Sequence, residues 1–404
     1  MNHLIVALLS LFIMLPLSAF AQGVCAAPET DPTIPPGAFN CTQALTNVSG
    51  VVSSTKPIRD QYIVVFKDSS TAPEVITDKL IKKHGLTDYT SFKHGLRGFH
   101  GKMTPGKAKQ LSDEPEVAFV EQDGRVDAIE VASWGLDRVD QRSLPLDQNF
   151  NPSGTGQGIH VYIFDTGIDM QHEEFTGRIG EGFASVPGGC ADDNGHGTHV
   201  SGTIGGTTFG IAKLVTIHPV RVLVNGSGAT SGVITGLDWA VGHVQANGWP
   251  AVGNLSLGGP VSIALDLAIC RGLAIGLQFG IAAGNASGLA CSNSPARVWQ
   301  AVTVGATTNT DQRASFSNYG PCLDVFAPGY GIISAKKGGG SALLSGTSMA
   351  APHVTGGLAL CKQKTPNAGA KDLAACIINS STPDKVISAG TGSPNRLLYV
   401  GPIP

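Results

Sequence analysis

Four side chains in this sequence have the types and surroundings that acyl transfer requires. Ser348 lies in Ser345-Gly346-Thr347-Ser348-Met349-Ala350-Ala351-Pro352, where a helix begins. His196 lies in Asn194-Gly195-His196-Gly197-Thr198-His199, a glycine-rich entry to another helix. Asp165 follows the apolar run IHVYIF and opens Asp165-Thr166-Gly167, and Asn285 ends Ala282-Ala283-Gly284-Asn285. A serine hydroxyl is a poor nucleophile until an imidazole takes its proton, and the imidazole needs a carboxylate to fix its tautomer. The tetrahedral intermediate needs donors waiting for its negative oxygen, and a helix N-terminus or a side-chain amide supplies them. Ser348, His196, Asp165 and Asn285 fill these roles.

Other chemistries fit less well. An aspartic protease needs a second Asp-Thr/Ser-Gly, and the chain has none. His196 and His199 are spaced H-x-x-H, but the zinc protease motif needs i,i+4 histidines with a glutamate between them. His199, His172, His218 and His353 read as structural. Ser348 is not in G-x-S-x-G, which argues against the α/β-hydrolase esterases.

Such residues need a scaffold that gathers loops at one sheet edge. From Trp134 onward, apolar strands (Ile159–Phe164, Val215–Val222, Ala251–Leu257, Ala274–Ala282, Ala301–Val304) alternate with helical patterns (Gly197–Ile204, Gly232–Ala246, Ile263–Arg271, Thr347–Lys362). Several strands are apolar on both faces. That predicts an α/β fold, doubly wound, with a mainly parallel sheet flanked by helices and ligands at the strands' carboxyl ends. Residues 58–125 differ. Gln61–Phe66, Pro73–His84, a hairpin over Ser91–Met103, Pro105–Ser112 and Val117–Val120 give β-α-β-β-α-β, a small ferredoxin-like α+β domain.

Composition divides the chain in the same place. Of 404 residues, only 14% are charged and 53 are glycine, yet residues 22–130 hold 26 of the 57 charged residues and 9 of the glycines. The formal net charge of −3 gives no basic footprint for nucleic acid. Residues 4–20 are apolar and end in Ala19-Phe20-Ala21, so 1–21 reads as a secretory signal peptide, too short for a membrane anchor. The expectation is a secreted, extracellular monomer. Residues 22–57, rich in Pro, Thr and Ser, read as an irregular leader of open role. Eight cysteines in a secreted chain favour disulfides. Cys361 and Cys376 are close enough in sequence to pair, and Cys25 and Cys41 could link within the leader.

Taken together, DTGID (165–169), NGHGTHVSGT (194–203), SLGG (256–259), AAGN (282–285), SFSNYG (315–320) and SGTSMAAPHV (345–354) resemble the subtilisin-like serine proteases, in particular the proteinase K and aqualysin branch. The order Asp, His, Ser is that of subtilisin itself. The resemblance covers about residues 58–404. It implies Asp165 as triad acid, His196 as general base, Ser348 as nucleophile, and Asn285 with the Ser348 N–H as oxyanion donors. It implies that Ser256, Leu257, Gly258 and Gly259 on one side, and Asn225, Gly226, Ser227 and Gly228 on the other, bind an extended peptide by strand addition. Ala282, Ala283 and Gly284 would help form the pocket for the residue before the cut, favouring an apolar or aromatic side chain. Residues 58–130 resemble an inhibitory propeptide, with self-cleavage between about Gly124 and Ser133 and a peptidase domain over 131–404.

The resemblance also suggests a Cys291–Cys322 disulfide. It leaves Cys190 without its usual partner near Val224, so that Cys190–Cys270 is what remains, with a free thiol at Cys270 as the alternative. No cofactor is needed for the chemistry. A structural calcium is suggested at Asp324 with the carbonyls of Trp299 and Ala301, since hard oxygen ligands suit this ion. The partners implied are protein or peptide substrates and the chain's own propeptide. The competing class is a catalytically silent binding protein on the same scaffold.

Overall fold

The computed structural model describes residues 48–54, 57–127 and 134–402. Residues 1–21, read above as a signal peptide, and the expected Cys25–Cys41 pair lie outside the described residues. The propeptide domain runs β1 (Pro57–Phe66), α1 (Pro73–His84), β2 (Tyr89–Phe92), β3 (Gly98–Lys102), α2 (Pro105–Ser112) and β4 (Val117–Asp127). The sheet order β4-β1-β3-β2 is antiparallel throughout. Helix α1 starts on Pro73 and stops at Gly85, which is left-handed (φ 60°). Thr104 caps α2 by accepting from Lys107 N. The leader adds the short strand Val51–Val52, parallel to β4.

The segment from Trp134 onward is built on a nine-stranded sheet. Its centre holds β5 (His160–Asp165), β6 (Thr216–Arg221), β8 (Ala251–Leu255), β9 (Gln278–Ala282), β10 (Val302–Thr307) and β11 (Val325–Pro328), all parallel. The short strand β7 (Ser227–Ala229) lies outside this sheet. From β5 the chain moves one way to β6, then returns to β8 on the other side and continues outward. The strand order therefore reverses beside β5, and Asp165 sits at that switch point. Strands that bury both faces explain the apolar runs, since β8, β9 and β10 are buried at every position.

On one face pack α3 (His196–Gly205), α6 (Thr347–Lys364) and α7 (Ala370–Ser380). On the other lie α4 (Thr230–Asn247) and α5 (Ile263–Ala274). The propeptide sheet covers α4 and α5 so closely that Ile63, Val65, Phe92, Leu96 and Phe119 share one apolar cluster with them. The other propeptide face has its own core under α1 and α2.

Two cysteine expectations need correction. Cys291–Cys322 and Cys361–Cys376 are bonded. Cys190, however, is a free thiol, and Cys270 is disulfide-bonded to a partner outside the described residues. The Cys190–Cys270 pair fails because the two sit apart. Cys190 lies beside Gly182 and Pro219 at the β6 side of the sheet, whereas Cys270 is on α5, between β8 and β9 in sequence. A free thiol at Cys270 is excluded because that cysteine is bonded. Strands β8 and β9 are also shorter than expected, because the chain leaves the ladder at Ser256 and the α5 helix continues to Ala274.

Candidate active site

Asp165 is the last residue of β5 and His196 the first of α3, and both are fully buried. His196 Nδ1 and Asp165 Oδ1 are 2.8 Å apart. Two glycines allow this approach. A Cβ on Gly197 would fall 2.1 Å from Gly167 O, and Gly167 itself has φ 103°. The loop after Asp165 can thus lie directly on the first turn of α3. Thr166 locks the two together: its Oγ1 accepts from Gly197 N (2.9 Å) and donates to Asp192 Oδ1 (2.8 Å). Asp192, which sequence reasoning missed, also accepts from Asn194 N, Gly195 N and Thr198 N at 2.8–3.0 Å. Although desolvation pushes its pKa up, these hydrogen bonds together hold the carboxyl below its usual range. It is a cap for α3, and Asp-x-Asn-Gly before a helix could have signalled it.

Ser348 is the second residue of α6 and is buried. In the resting structure its hydroxyl donates to Ser256 O at 3.0 Å. Asn285 Oδ1 accepts from Thr347 N at 2.8 Å. An N–H can be met only by the oxygen, so the Asn285 amide group is turned the other way. It thereby lines a cavity of about 290 Å³ together with Ser348. Leu257, Gly258, Gly259, Ala282, Ala283 and Gly284 line the same cavity. Asn318 of SFSNYG and, outside the quoted motifs, Pro260, Ala286, Ser292, Asn293 and Ala296 also line it. Gly284 has φ 99°, and a Cβ there would meet Asn318 Nδ2 at 2.5 Å. Ser256 stands behind this cavity, against Ser348.

Gly226, Ser227 and Gly228 are placed at a second edge. Here β4 of the propeptide pairs antiparallel with β7, in the register Arg125 with Ala229, Val126 with Gly228 and Asp127 with Ser227. Upstream, Asp123 Oδ1 accepts from Ser231 N (3.0 Å) at the start of α4, and Glu121 Oε2 accepts from Ala264 N (3.0 Å) at the start of α5. Negative groups suit these helix ends. Both carboxyls are buried, and desolvation raises both pKa values, that of Glu121 to about 7. Asp266, in the first turn of α5, is raised by desolvation to about 8, with Arg297 Nε 3.4 Å from its Oδ2.

The other histidines are structural. His199 Nε2 lies 3.0 Å from Ile332 O, and desolvation holds its pKa down at about 3. Asp324 is half-buried, accepts from Thr303 N at 2.8 Å, and is pushed up to about 7 by desolvation, opposed by that hydrogen bond and by Arg396. Among the described residues, no three His, Cys, Asp or Glu side chains converge as a metal site, so an ion at Asp324 would rely on backbone carbonyls. No helix among the described residues is long and apolar enough to cross a membrane.

With this geometry in place, comparison with known proteins is direct. The subtilase family model matches residues 156–397, and the peptidase inhibitor I9 model matches residues 61–128. An extracellular serine proteinase of Thermus sp. (strain Rt41A) is 53% identical over 380 residues, covering 86% of this chain and 91% of that protein. Alkaline serine exoprotease A of Vibrio alginolyticus is 43% identical over 364 residues, covering 85% of this chain and 67% of that protein. The crystal structure of a cold-adapted subtilisin-like serine proteinase, 48% identical, superposes with a TM-score of 0.64 over 67% of this chain and 99% of its own. The chain belongs to the subtilase family of serine endopeptidases, with an I9 inhibitor domain ahead of its catalytic domain.

Proposed function

We propose that this chain is an extracellular endopeptidase that cuts proteins through an acyl-enzyme on Ser348 and is made as a self-processing precursor. The observation that carries the reading is the buried 2.8 Å Asp165–His196 contact at the start of α3, a helix that packs on α6, whose second residue is Ser348. The Ser348 hydroxyl leaves Ser256 O, gives its proton to His196 Nε2 and attacks the scissile carbonyl. Asp165 holds the imidazole Nδ1–H and stabilises the cation that forms. The new oxyanion is met by the Asn285 amide and the Ser348 N–H, both fixed in advance. His196 then protonates the leaving amine. Water repeats the sequence in reverse to free the enzyme.

The substrate is read as an extended strand. The propeptide tail supports this, because it already pairs with β7 as a substrate would. The small walls of the cavity favour an apolar or aromatic side chain before the cut. A calcium ion held by Asp324 and the carbonyls of Trp299 and Ala301 would serve stability and take no part in the chemistry. The enzyme is expected to act as a monomer.

A fluorophosphonate probe tests the reading. The processed protein should be labelled, and Ser348→Ala and His196→Ala should not. Ser348→Ala should also accumulate uncut, whereas N-terminal sequencing of the wild type should find a cut between Gly124 and Ser133. Label retained on Ser348→Ala would end the proposal.

A further inference from the structure

Pro352 lies inside α6, four residues after Ser348. A proline has no N–H, so the Ser348 carbonyl cannot receive the hydrogen bond that the helix would otherwise supply. That carbonyl is buried and needs another donor. Ser256 Oγ donates to it at 2.8 Å. Ser256 also receives the Ser348 hydroxyl on its own backbone carbonyl. The nucleophile is therefore held at both ends by one residue at the end of β8.

Ser256 has a single proton, and that proton goes to Ser348 as long as the other group on its oxygen is a donor and not a competing acceptor. Asn254 Nδ2 does so at 2.9 Å. The Asn254 amide is held in that sense by Thr355, whose hydroxyl donates to Asn254 Oδ1 at 2.8 Å. Thr355 Oγ1 also lies 3.2 Å from Ala351 O, but its single proton favours the shorter contact. Asn254, Ser256 and Thr355 are all fully buried. Space for the Thr355 hydroxyl comes from Gly280, where a Cβ would lie 2.3 Å from it.

We propose that Asn254 and Thr355 are positioning residues for Ser348, setting the direction of a hydrogen-bond chain that ends on the nucleophile's own carbonyl. The proposal rests on Ser348 being the nucleophile. Without the Thr355 hydroxyl, the Asn254 amide is free to turn and offer its oxygen to Ser256. Ser256 then donates to Asn254, and the Ser348 carbonyl is left bare in the first turn of α6. That turn also carries the Ser348 N–H that meets the oxyanion. The loss should therefore fall on the transition state, with ground-state binding of the peptide in the β7 and Leu257–Gly259 edges unchanged.

The test uses the full chain, processed, with active sites counted by titration. Thr355→Val and Thr355→Ala share only the loss of the hydroxyl, and Thr355→Ser keeps it. Both hydroxyl-free variants should lose about tenfold in kcat with KM within about twofold, and phosphonylation by the fluorophosphonate should slow in parallel. Thr355→Ser should stay near wild type. Adding Thr355→Val to Ser256→Ala should cost nothing more, because the chain is already broken at Ser256.

Wild-type kcat in both hydroxyl-free variants would overturn the proposal. So would Thr355→Ser losing as much as Thr355→Ala, which would assign the effect to methyl packing, or additive losses with Ser256→Ala. Activity surviving in Ser348→Ala would instead overturn the reading of the nucleophile itself. Should Thr355→Val fail to fold, the Thr355→Ala and Thr355→Ser pair decides alone.

Discussion

Docking of the propeptide should loosen as the medium becomes more alkaline, and Glu121 gives the size of the effect. Its carboxyl sits at the N-terminus of α5 with its Oε2 on Ala264 N, almost fully buried. Asp123 on the same strand and Asp266 on α5 add negative charge, and Arg297 is the cation that faces Asp266. Desolvation, the largest cause, lifts Glu121 from 4.5 to about 7. A raised carboxyl favours the docked form while it is protonated. That advantage is complete below pH 4.5, shrinks as the pH rises and is gone above about 7. The full difference is worth about 3 kcal/mol, and between pH 5 and 8 it leaves just under about a hundredfold in affinity.

The self-processed complex can be diluted at pH 5, 6, 7 and 8, and the free protease read by a brief exposure to a small chromogenic peptide at one common pH. The wild-type dissociation constant should rise by nearly about two decades over that range. In Glu121→Gln, which still accepts from Ala264 N but carries no titrating proton there, the slope should shrink to the part that Asp123 and Asp266 contribute. An unchanged slope in Glu121→Gln, or a flat wild type, would refute the reasoning.

Asn285→Ala should lower kcat by about a hundredfold to a thousandfold with little change in KM, a magnitude carried over from subtilisin, a member of the same family. Gly197→Ala should abolish processing, because the new Cβ would lie 2.1 Å from Gly167 O, a backbone atom, and drive Asp165 from His196; normal maturation, seen on a gel, would contradict this. Acid should destabilise the fold. Desolvation holds His218 and His353 at about 4, below the ordinary 6.5, so the neutral forms favour the folded chain and their stability, up to about 3 kcal/mol each, is lost as pH falls from 6.5 toward 4. Melting of the Ser348→Ala precursor between pH 4 and 8 measures this, and His218→Phe should shallow the slope. Chelation with EGTA should lower the melting temperature of the wild type, and Asp324→Asn should remove the response if calcium sits there.

The sequence made the four reacting residues legible for a physical reason. Each needs a glycine within two positions so that two backbones can touch, and those glycines create contiguous motifs. Gly167 and Gly197 beside Asp165 and His196 are the clearest case. Asn254 and Thr355 leave no such trace. One lies two residues before Ser-Leu-Gly-Gly and the other directly after SGTSMAAPHV, and their contact spans 101 positions. Neither needs an unusual backbone, so only the tertiary fold reveals them. The parallel strands were legible from runs buried on both faces. The carboxyl end of β8 was not, because Ser256 and Leu257 remain as buried after leaving the ladder as the strand before them. Cysteine pairing failed for a related reason: Cys190 and Cys270 were matched by remainder, and a remainder contains no distance.

Strand β4 connects the inhibitor's grip to its place in the cleft. Glu121 and Asp123 are two residues apart, so both side chains leave the same face of one strand. They reach the N-termini of α5 and α4, helices that lie side by side on one face of the sheet. The same strand then runs on to pair with β7, aligning residues 125–127 with the proposed peptide-binding edge. One register therefore fixes both interactions. A slip of one residue would turn both carboxylates away from the helices and shift the scissile region along the cleft at once. The α6 terminus at Ser348 is occupied by no propeptide carboxylate among the described residues, and its N–H groups stay available for the oxyanion. Among the described residues, the inhibitor thus places its carboxyls at the helix ends that catalysis does not use and leaves the Ser348 terminus clear of them.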